Sequence, residues 1–188
     1  MTLPTPSPRD DIILHLPALR AFAISLTRNP DRADDLVQDT IVKAWVHIGS
    51  FKPGTNLCGW LCTILRNTYY SSLRKGRREV ADPDGIFVSR LSVGPAHDGV
   101  LAMGEFLSAF ALLNPEQREV LTLVGAMGFS YEEAASILTL AIGTVKSRVS
   151  RARSVLAGLL DLRTGESPVA GPYHAIAAPK VQAPAYAM

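Results

Sequence analysis

The sequence predicts an all-α protein with two small helical domains joined by a flexible linker. Apolar residues recur three and four positions apart in segment after segment, which is the spacing of one buried helix face. One long stretch instead carries Asp-Pro, Asp-Gly and Gly-Pro pairs and no sustained period, as linkers do. There is no strand signal of any strength. We therefore predict a disordered start (1–9), a first domain (10–78), the linker (79–103), a second domain (104–162) and a disordered Gly-, Pro- and Ala-rich tail (163–188).

Composition and charge narrow the class of protein. The chain has 188 residues, 47% of them hydrophobic, so each domain can bury a core. No apolar run is long enough to cross a bilayer, and the start lacks the charged-then-apolar layout of a signal peptide, so we expect a cytoplasmic protein without membrane contact. The net charge is only +2, but cations collect in two blocks, Arg66 to Arg78 and Lys146 to Arg153. Two separated basic patches indicate two contacts with one polyanion.

The residue types that catalysis requires do not form a recognisable set. We find no metal-ligand cluster, no Gly-rich phosphate loop and no nucleophile–base pair, so we expect neither enzymatic activity nor a cofactor. Cys58 and Cys62 lie four positions apart on a predicted helix. Two thiols on one helix face can bind metal or sense oxidants, but no other cysteine lies nearby and no histidine accompanies them. We expect both to be reduced core residues.

The first domain is predicted to begin with two helices. The first covers about residues 17–27, after a turn of helix over 10–14, and the second begins at Asn29-Pro30, an N-cap followed by proline. On the outer face of the second helix, Val42 and Val46 lie beside carboxylates. That face is either a docking surface or ordinary protein surface. The predicted core stripe of this helix is Ala33, Leu36, Val37, Thr40, Ile41, Ala44, Trp45 and Ile48.

A loop over residues 49–56 leads to a third helix, which Thr55 or Asn56 caps and which runs to about Lys75. Amide, aromatic, hydroxyl and guanidinium groups share its outer face. They suit nucleic acid, because rings stack on unpaired bases while cations hold phosphates. The alternative is a tyrosine packed at a domain edge beside a solvated basic end. The residues on this face are Asn67, Tyr70, Ser71, Arg74 and Arg78.

The second domain is predicted to contain four helices. One covers about residues 100–113, and the next begins at Asn114-Pro115 and ends near residue 126. Ser130 and Glu133 form a capping box that starts the third. Its pattern is interrupted over residues 139–143, where Gly143 is expected to permit a sharp turn. The apolar stripe of the last helix is Val145, Val149, Ala152, Leu156 and Leu159.

The last two helices and their turn form a helix-turn-helix pattern. The second of them is basic, and no acidic residue occurs between Thr144 and Leu160. Arg and Lys at the start of such a helix pair with guanine edges or phosphates in a major groove. The alternative is a solvated cationic face on a packing helix.

These pieces, in this order, resemble the extracytoplasmic-function (ECF) group of the sigma-70 family of RNA polymerase sigma factors. The resemblance covers about residues 10–162. Within the group, the segment from Phe51 to the Asp-Pro-Asp-Gly linker looks like the EcfG-type general stress response subgroup of alphaproteobacteria. One departure is the turn TLAIGT, which lacks the Val-Pro that many relatives carry. The most specific motifs are DRADDLVQDTIVKAW, WLCTILRN, LNPEQREVLTL and GTVKSRVSRAR.

The resemblance implies three sets of site residues. Core polymerase would dock on Asp35, Leu36, Gln38, Asp39, Val42 and Lys43. The minus-10 element would be opened and held by Phe51, Lys52, Thr55, Asn56, Asn67, Tyr70, Ser71, Arg74, Lys75, Arg77 and Arg78. The minus-35 element would be read by Thr144, Lys146, Ser147, Arg148, Arg151 and Arg153.

The resemblance also implies partners. They are core RNA polymerase, through its clamp coiled coil and its flap, promoter DNA with a GGAAC-like minus-35 sequence, and an anti-sigma factor. The chain is expected to be a monomer when unbound. One rival is a sigma-like decoy that binds an anti-sigma factor without DNA, although a decoy has no reason to keep two basic faces. A second rival is an ordinary helix-turn-helix repressor, which leaves residues 10–78 without a role.

Overall fold

The structure is a computed structural model, and it describes residues 8–79 (the first half) and 98–164 (the second half). All regular secondary structure in these two ranges is helical, so the predicted fold class is confirmed. No helix in the described ranges is long and apolar enough to cross a membrane. The linker segment 80–97, the first seven residues and the tail from 165 onwards lie outside the described residues.

The first half begins with a short helix and a 3₁₀ turn that lead into three longer helices. Asn29 caps the third α-helix, because its side chain accepts a hydrogen bond from the backbone N–H of Arg32 at 2.9 Å. Asn56 caps the fourth by accepting from the N–H of Gly59 at 3.1 Å, so Asn56 and not Thr55 is the cap. The elements are α1 (Pro8–Asp11), a 3₁₀ turn (Ile12–His15), α2 (Leu16–Thr27), α3 (Pro30–Val46), a 3₁₀ turn (Ile48–Ser50) and α4 (Leu57–Glu79).

The core of this half is formed by facing sides of α2, α3 and α4. The predicted α3 stripe is confirmed along the middle of the buried face, where Ala33, Thr40 and Ala44 are fully buried. The prediction that Trp45 is buried is wrong, since 52% of it is exposed. At about 100° per residue, Trp45 lies about 120° round the helix from Ala33, beyond the edge of the buried stripe.

The second half contains the predicted helices with one change of geometry. Asn114 and Gln117 form a reciprocal capping box, which starts the helix at Pro115 as predicted. This helix continues as a π-helical turn, in which the N–H of Met127 donates to the carbonyl of Thr122 at 2.9 Å. The elements are α5 (Asp98–Leu112), α6 (Pro115–Leu121), the π turn (Thr122–Ala126), α7 (Tyr131–Leu138) and α8 (Ile142–Thr164). Helix α5 begins at Asp98, two residues before the helix predicted over about residues 100–113, so its first residues lie within the bounds given to the linker (79–103).

The turn between α7 and α8 depends on Thr139 and not on Gly143. Thr139 adopts a left-handed conformation (φ 57°), and the N–H of Leu140 donates to the carbonyl of Ala135 at 2.9 Å, as in a Schellman ending. Gly143 lies within the first turn of α8. The prediction that Gly143 permits the turn is wrong. The predicted α8 stripe is confirmed, because Val145, Val149 and Ala152 are buried and Leu156 and Leu159 pack against the core.

The two halves pack against each other. Helix α2 contacts α6, and α4 contacts α7. Arg118 of α6 is 4% exposed, and its Nε donates to the carbonyl of Ser25 on α2 at 2.8 Å, while its Nη1 donates to the carbonyl of Leu113. A buried guanidinium satisfied by carbonyls of both halves ties them together. Elements predicted as separate domains thus share one apolar core in this structure.

Candidate nucleic-acid and protein interfaces

The start of α8 presents an exposed polar surface held in place by local hydrogen bonds. Ser147 donates from Oγ to the carbonyl of Thr144 at 2.9 Å. Arg151 donates from Nε to the carbonyl of Ser147 and from Nη2 to its Oγ, both at 3.2 Å. Ser147 and Arg151 are exposed and Thr144 is partly exposed. These groups lie on the face opposite the buried stripe, where a DNA groove can reach them.

The other predicted minus-35 residues lie on both sides of that face. Arg148 is turned towards α6, where its Nη2 lies 3.2 Å from Glu116 Oε2. Its side chain is only 26% exposed. Lys146 lies over the ring of Tyr131, with its Nζ 5.8 Å from the ring centre. Arg153 is exposed and lies five positions after Arg148, which places the two about 140° apart round the helix. A DNA groove that meets the face formed by Ser147 and Arg151 therefore cannot be equally close to Arg148 and Arg153.

The loop before α4 is an ordered turn in which Lys52 and Thr55 are exposed. Phe51 packs against Trp60, with ring centres 5.5 Å apart, which anchors the start of the loop. Gly54 has φ 85°, a left-handed conformation that favours glycine. Thr55 donates from Oγ1 to the carbonyl of Lys52 at 2.7 Å, and both residues are exposed. The loop thus offers a cation and a hydroxyl on a fixed backbone.

Two of the predicted minus-10 residues are engaged by the second half. Asn56 donates from Nδ2 to Glu133 Oε1 at 2.6 Å, while Glu133 also completes the capping box of α7. The ring of Tyr70 is partly buried, and burial raises the pKa of its hydroxyl to about 12. In this packed form, the amide of Asn56 is hydrogen-bonded to Glu133 although the residue is exposed, and the ring of Tyr70 is partly covered.

Arg66 is a prominent residue on α4 that none of the three predicted sets includes. Its Nε donates to Glu119 Oε1 at 2.7 Å, and its guanidinium lies 4.9 Å from the centre of the Tyr70 ring. Glu119 is 1% exposed, and burial raises the pKa of its carboxyl above the ordinary value even though Arg66 opposes the shift. The sequence contained a signal for this residue, because Arg66 is the first cation of the basic block that runs to Arg78. Its partner lies 53 positions away and was not predictable.

The remaining α4 residues line an open surface. Arg74 donates from Nη2 to Ser71 Oγ at 3.1 Å. Asn67 and Ser71 line a shallow cleft of about 230 Å³ between α3 and α4, together with Lys43 and His47. Lys43, predicted to dock polymerase, donates from Nζ to Thr68 Oγ1 at 3.1 Å and so belongs to this cleft as well. The predicted minus-10 residues that are exposed on α4 are Asn67, Ser71, Arg74 and Lys75, and the side chains of Arg77 and Arg78 lie outside the described residues.

The outer face of α3 is open and contains more apolar surface than the predicted docking set. Val42 is 59% exposed and Val46 73% exposed, and Trp45 adds half of its surface on the adjoining flank. Leu36, in contrast, is only 7% exposed and packs into the core. The predicted residues that are exposed here are Asp35, Gln38, Asp39, Val42 and Lys43. An acidic rim around exposed valines is typical of a protein-docking surface.

Within the described ranges, no group of three or more His, Cys, Asp or Glu side chains is placed to hold a metal ion.

Comparisons with known proteins agree on one family. The family model for Sigma-70 region 2 matches residues 12–79, and the model for Sigma-70, region 4 matches residues 103–156. The chain is 56% identical to the ECF RNA polymerase sigma factor EcfG of Rhodopseudomonas palustris (strain TIE-1) over 156 residues, which are 83% of this chain and 86% of that protein.

Solved structures of similar proteins include a sigma factor bound to an anti-sigma factor. RpoE from Bartonella quintana, solved in complex with the anti-sigma factor NepR, is 53% identical in sequence to this chain. The two structures superpose with a TM-score of 0.71, over 82% of this chain and 96% of that one. CnrH in complex with the cytosolic domain of CnrY is 29% identical, with a TM-score of 0.57 over 80% of this chain and 85% of that one. The chain belongs to the sigma-70 family, as an RNA polymerase sigma factor of the extracytoplasmic-function group that acts with core polymerase and promoter DNA in transcription initiation.

Proposed function

We propose that this sigma factor directs core polymerase to stress-response promoters in the cytoplasm and has no catalytic chemistry of its own. Helix α8 reads the minus-35 element, the loop before α4 and the outer face of α4 open and hold the minus-10 element, and the outer face of α3 docks the polymerase clamp. The observation that carries the proposal is the exposed Thr144–Ser147–Arg151 surface at the start of a helix-turn-helix recognition helix.

The packed form described above is incompatible with simultaneous contact to both promoter elements. A packed body of about 140 residues has a radius of gyration of about 14 Å and a diameter of about 40 Å. The minus-35 and minus-10 elements are about 25 base pairs apart, or about 85 Å at 3.4 Å per pair. The two halves therefore have to separate on the promoter.

An anti-sigma factor is the proposed regulator. Support comes from the structure of RpoE with the anti-sigma factor NepR, since it shows a similar chain bound by such a protein. The open apolar and acidic face of α3 supplies a surface for this partner on the free sigma factor. We expect a small partner to co-purify with the full chain from unstressed cells and to be absent after stress. Recovery of the chain alone from unstressed cells contradicts this part of the proposal.

A reconstituted transcription assay tests the promoter surfaces. Core polymerase is combined with the full chain on a promoter that carries a GGAAC-type minus-35 element. We expect activity with the parent chain and a loss of about tenfold or more with Arg151→Ala, because one good base contact is worth about 1–3 kcal/mol.

Arg20→Ala is the matched control for that experiment. It also removes one cation, but Arg20 is half exposed and pairs with Asp34 on the surface at 2.6 Å, where a pair contributes little. Equal losses in the two variants mean that only overall charge matters. No transcription with the parent chain, together with tight binding to an anti-sigma factor, means that the chain is a decoy.

A further inference from the structure

The shallow cleft between α3 and α4 combines residues that the three predicted sets assign to different sites or to none. Two of its residues lie four positions apart at the C-terminal end of α3, and the other four lie on one face of α4 at helical spacing. Five of the six are polar, and none is acidic. The lining residues are Lys43, His47, Ile64, Asn67, Thr68 and Ser71.

The cleft presents several hydrogen-bond donors, one of which is a cation. Lys43 is exposed, and its Nζ donates to Oγ1 of the buried Thr68 at 3.1 Å, so the ammonium reaches across from α3 to α4. An ammonium has three N–H donors, so two of them remain for a ligand. His47, Asn67 and Ser71 are exposed and add an imidazole, an amide and a hydroxyl. Such a set suits an anion with several oxygen atoms, such as a phosphate.

The cleft is continuous with the basic end of α4. Ser71 accepts a hydrogen bond from Nη2 of Arg74 at 3.1 Å, and both Arg74 and Lys75 are exposed. From Asn67 to Lys75 the helix rises about 12 Å, which is the length of about three to four nucleotides at 3.4 Å each. A strand that lies along α4 with phosphates on Arg74 and Lys75 therefore reaches the cleft.

The second half leaves this cleft open. Four of its six residues are exposed in the packed form, whereas Arg66 on the same helix is bonded to Glu119. Its volume of about 230 Å³ is below the roughly 300–1,000 Å³ of pockets that hold drug-sized ligands. The cleft therefore fits a single group of an extended ligand, and the two halves need not separate for that group to enter.

The position of Lys43 favours DNA over polymerase as the partner of the cleft. Lys43 lies about 100° round α3 from Val42, on the flank that faces α4. The open face of α3 instead contains Val42 and the exposed carboxylates of Asp35 and Asp39. A protein surface that complements these carboxylates is basic, so it repels Lys43.

We propose that the α3–α4 cleft binds a backbone phosphate of the unpaired strand of the opened minus-10 element, with Lys43 and His47 as DNA contacts. Such a site rests on the proposed function, in which α4 holds that element, and adds the α3 side of the contact. Phosphate contacts fix the register of a nucleic acid and carry no sequence information directly. The cleft therefore positions the strand, while the neighbouring bases meet Asn67 and Ser71.

Binding of a fluorescent single-stranded minus-10 oligonucleotide to the full chain tests the site. One lysine–phosphate contact with a single strand contributes about 0.7 to the slope of log K against log salt, which corresponds to about fivefold in affinity at about 0.1 M salt. We expect Lys43→Gln to weaken binding by about this factor, to flatten the slope, and to do so equally for a scrambled sequence. His47→Gln should weaken binding to a smaller extent, and parent-like binding by both variants overturns the proposal.

Strands with one uncharged methylphosphonate linkage locate the contact. At one position this linkage should weaken binding of the parent chain about fivefold and leave the affinity of Lys43→Gln unchanged, because the charge pair is already absent. Arg20→Gln is the matched control, since it removes an exposed cation that pairs with Asp34 and should keep the affinity and salt slope of the parent. Equal losses in Lys43→Gln and Arg20→Gln mean that only total charge matters and overturn the site.

Failure of this site and failure of the proposed function give different results. If Arg74→Gln weakens strand binding but Lys43→Gln does not, the α4 surface stands and the cleft is not part of it. If Lys43→Gln instead reduces affinity for core polymerase at unchanged strand affinity, Lys43 is a docking residue and the proposal is wrong. A parent chain that does not bind the strand overturns both proposals. Urea unfolding of Lys43→Gln checks that loss of its bond to Thr68 leaves the fold intact.

Discussion

The outer faces of α3 and α4 both belong to the first half, but the second half covers them to different extents. The α3 face stays open, with Val42 and Val46 more than half exposed. The α4 face is partly covered, because Arg66 is held by the buried Glu119 and Asn56 by Glu133. The packed form therefore leaves the proposed polymerase surface on α3 available, while it covers part of the proposed DNA surface on α4. In this arrangement, core polymerase can dock on α3 before the two halves separate.

The largest expected effect comes from removing the guanidinium that joins the halves. Arg118→Ala leaves the carbonyls of Ser25 and Leu113 without their buried donor. We expect the free energy of unfolding to fall by about 2–4 kcal/mol, as is usual when buried polar groups lose their partner. Urea unfolding of the full chain measures it. Arg20→Ala, which removes a surface pair only, should cost less than about 1 kcal/mol, and an equal loss in both variants contradicts the assigned role of Arg118.

The second effect concerns the open face of α3. Val42→Asp places a charge in the centre of the proposed docking surface. We expect affinity for core polymerase to fall about tenfold or more, which corresponds to about 1.4 kcal/mol, with little change in stability. Leu112→Asp is a suitable control, because Leu112 is 62% exposed and lies in the second half. Unchanged holoenzyme assembly by Val42→Asp places the docking surface elsewhere.

The third effect releases the covered face of α4. Glu119→Gln keeps the shape of the side chain but removes the charge that holds Arg66. We expect the full chain to bind a single-stranded minus-10 oligonucleotide about fivefold more tightly, which corresponds to about 1 kcal/mol. The control is Glu116→Gln, since Glu116 is exposed and pairs with Arg148 instead. Identical affinities for the two variants would falsify competition between Glu119 and DNA for Arg66.

The smallest effect is a pH dependence of the packing. Burial raises the pKa of Glu119 above its ordinary value of about 4.3, so the folded chain retains this proton at a pH where the unfolded chain has lost it. Its contribution to stability is therefore complete below the ordinary pKa and is lost as the pH rises through the raised one. Urea unfolding from mildly acidic to neutral pH should show a steeper fall in stability for the parent chain than for Glu119→Gln. An equal pH dependence of stability in the parent chain and in Glu119→Gln contradicts a raised pKa of Glu119.

Much of the fold was predictable because helix signals are local. The caps at Asn29, Asn114 and Ser130 each bond a backbone group three residues away, so their partners can be read from the adjacent sequence. The buried stripe of α8 follows from a helical period that packing did not alter. The errors occur where a local rule has two solutions, as at the α7–α8 turn, where Thr139 and not Gly143 takes the left-handed conformation.

The sequence by itself therefore determined the helices, their order, the helix-turn-helix and the family. Only the tertiary structure decided which polar side chains are covered. Arg66 meets Glu119 across 53 positions, and Arg118 meets the carbonyl of Ser25 across 93. No periodicity or capping rule spans such distances, because these contacts depend on how whole helices pack. That packing turns an apparently solvated basic face into a partly occupied one.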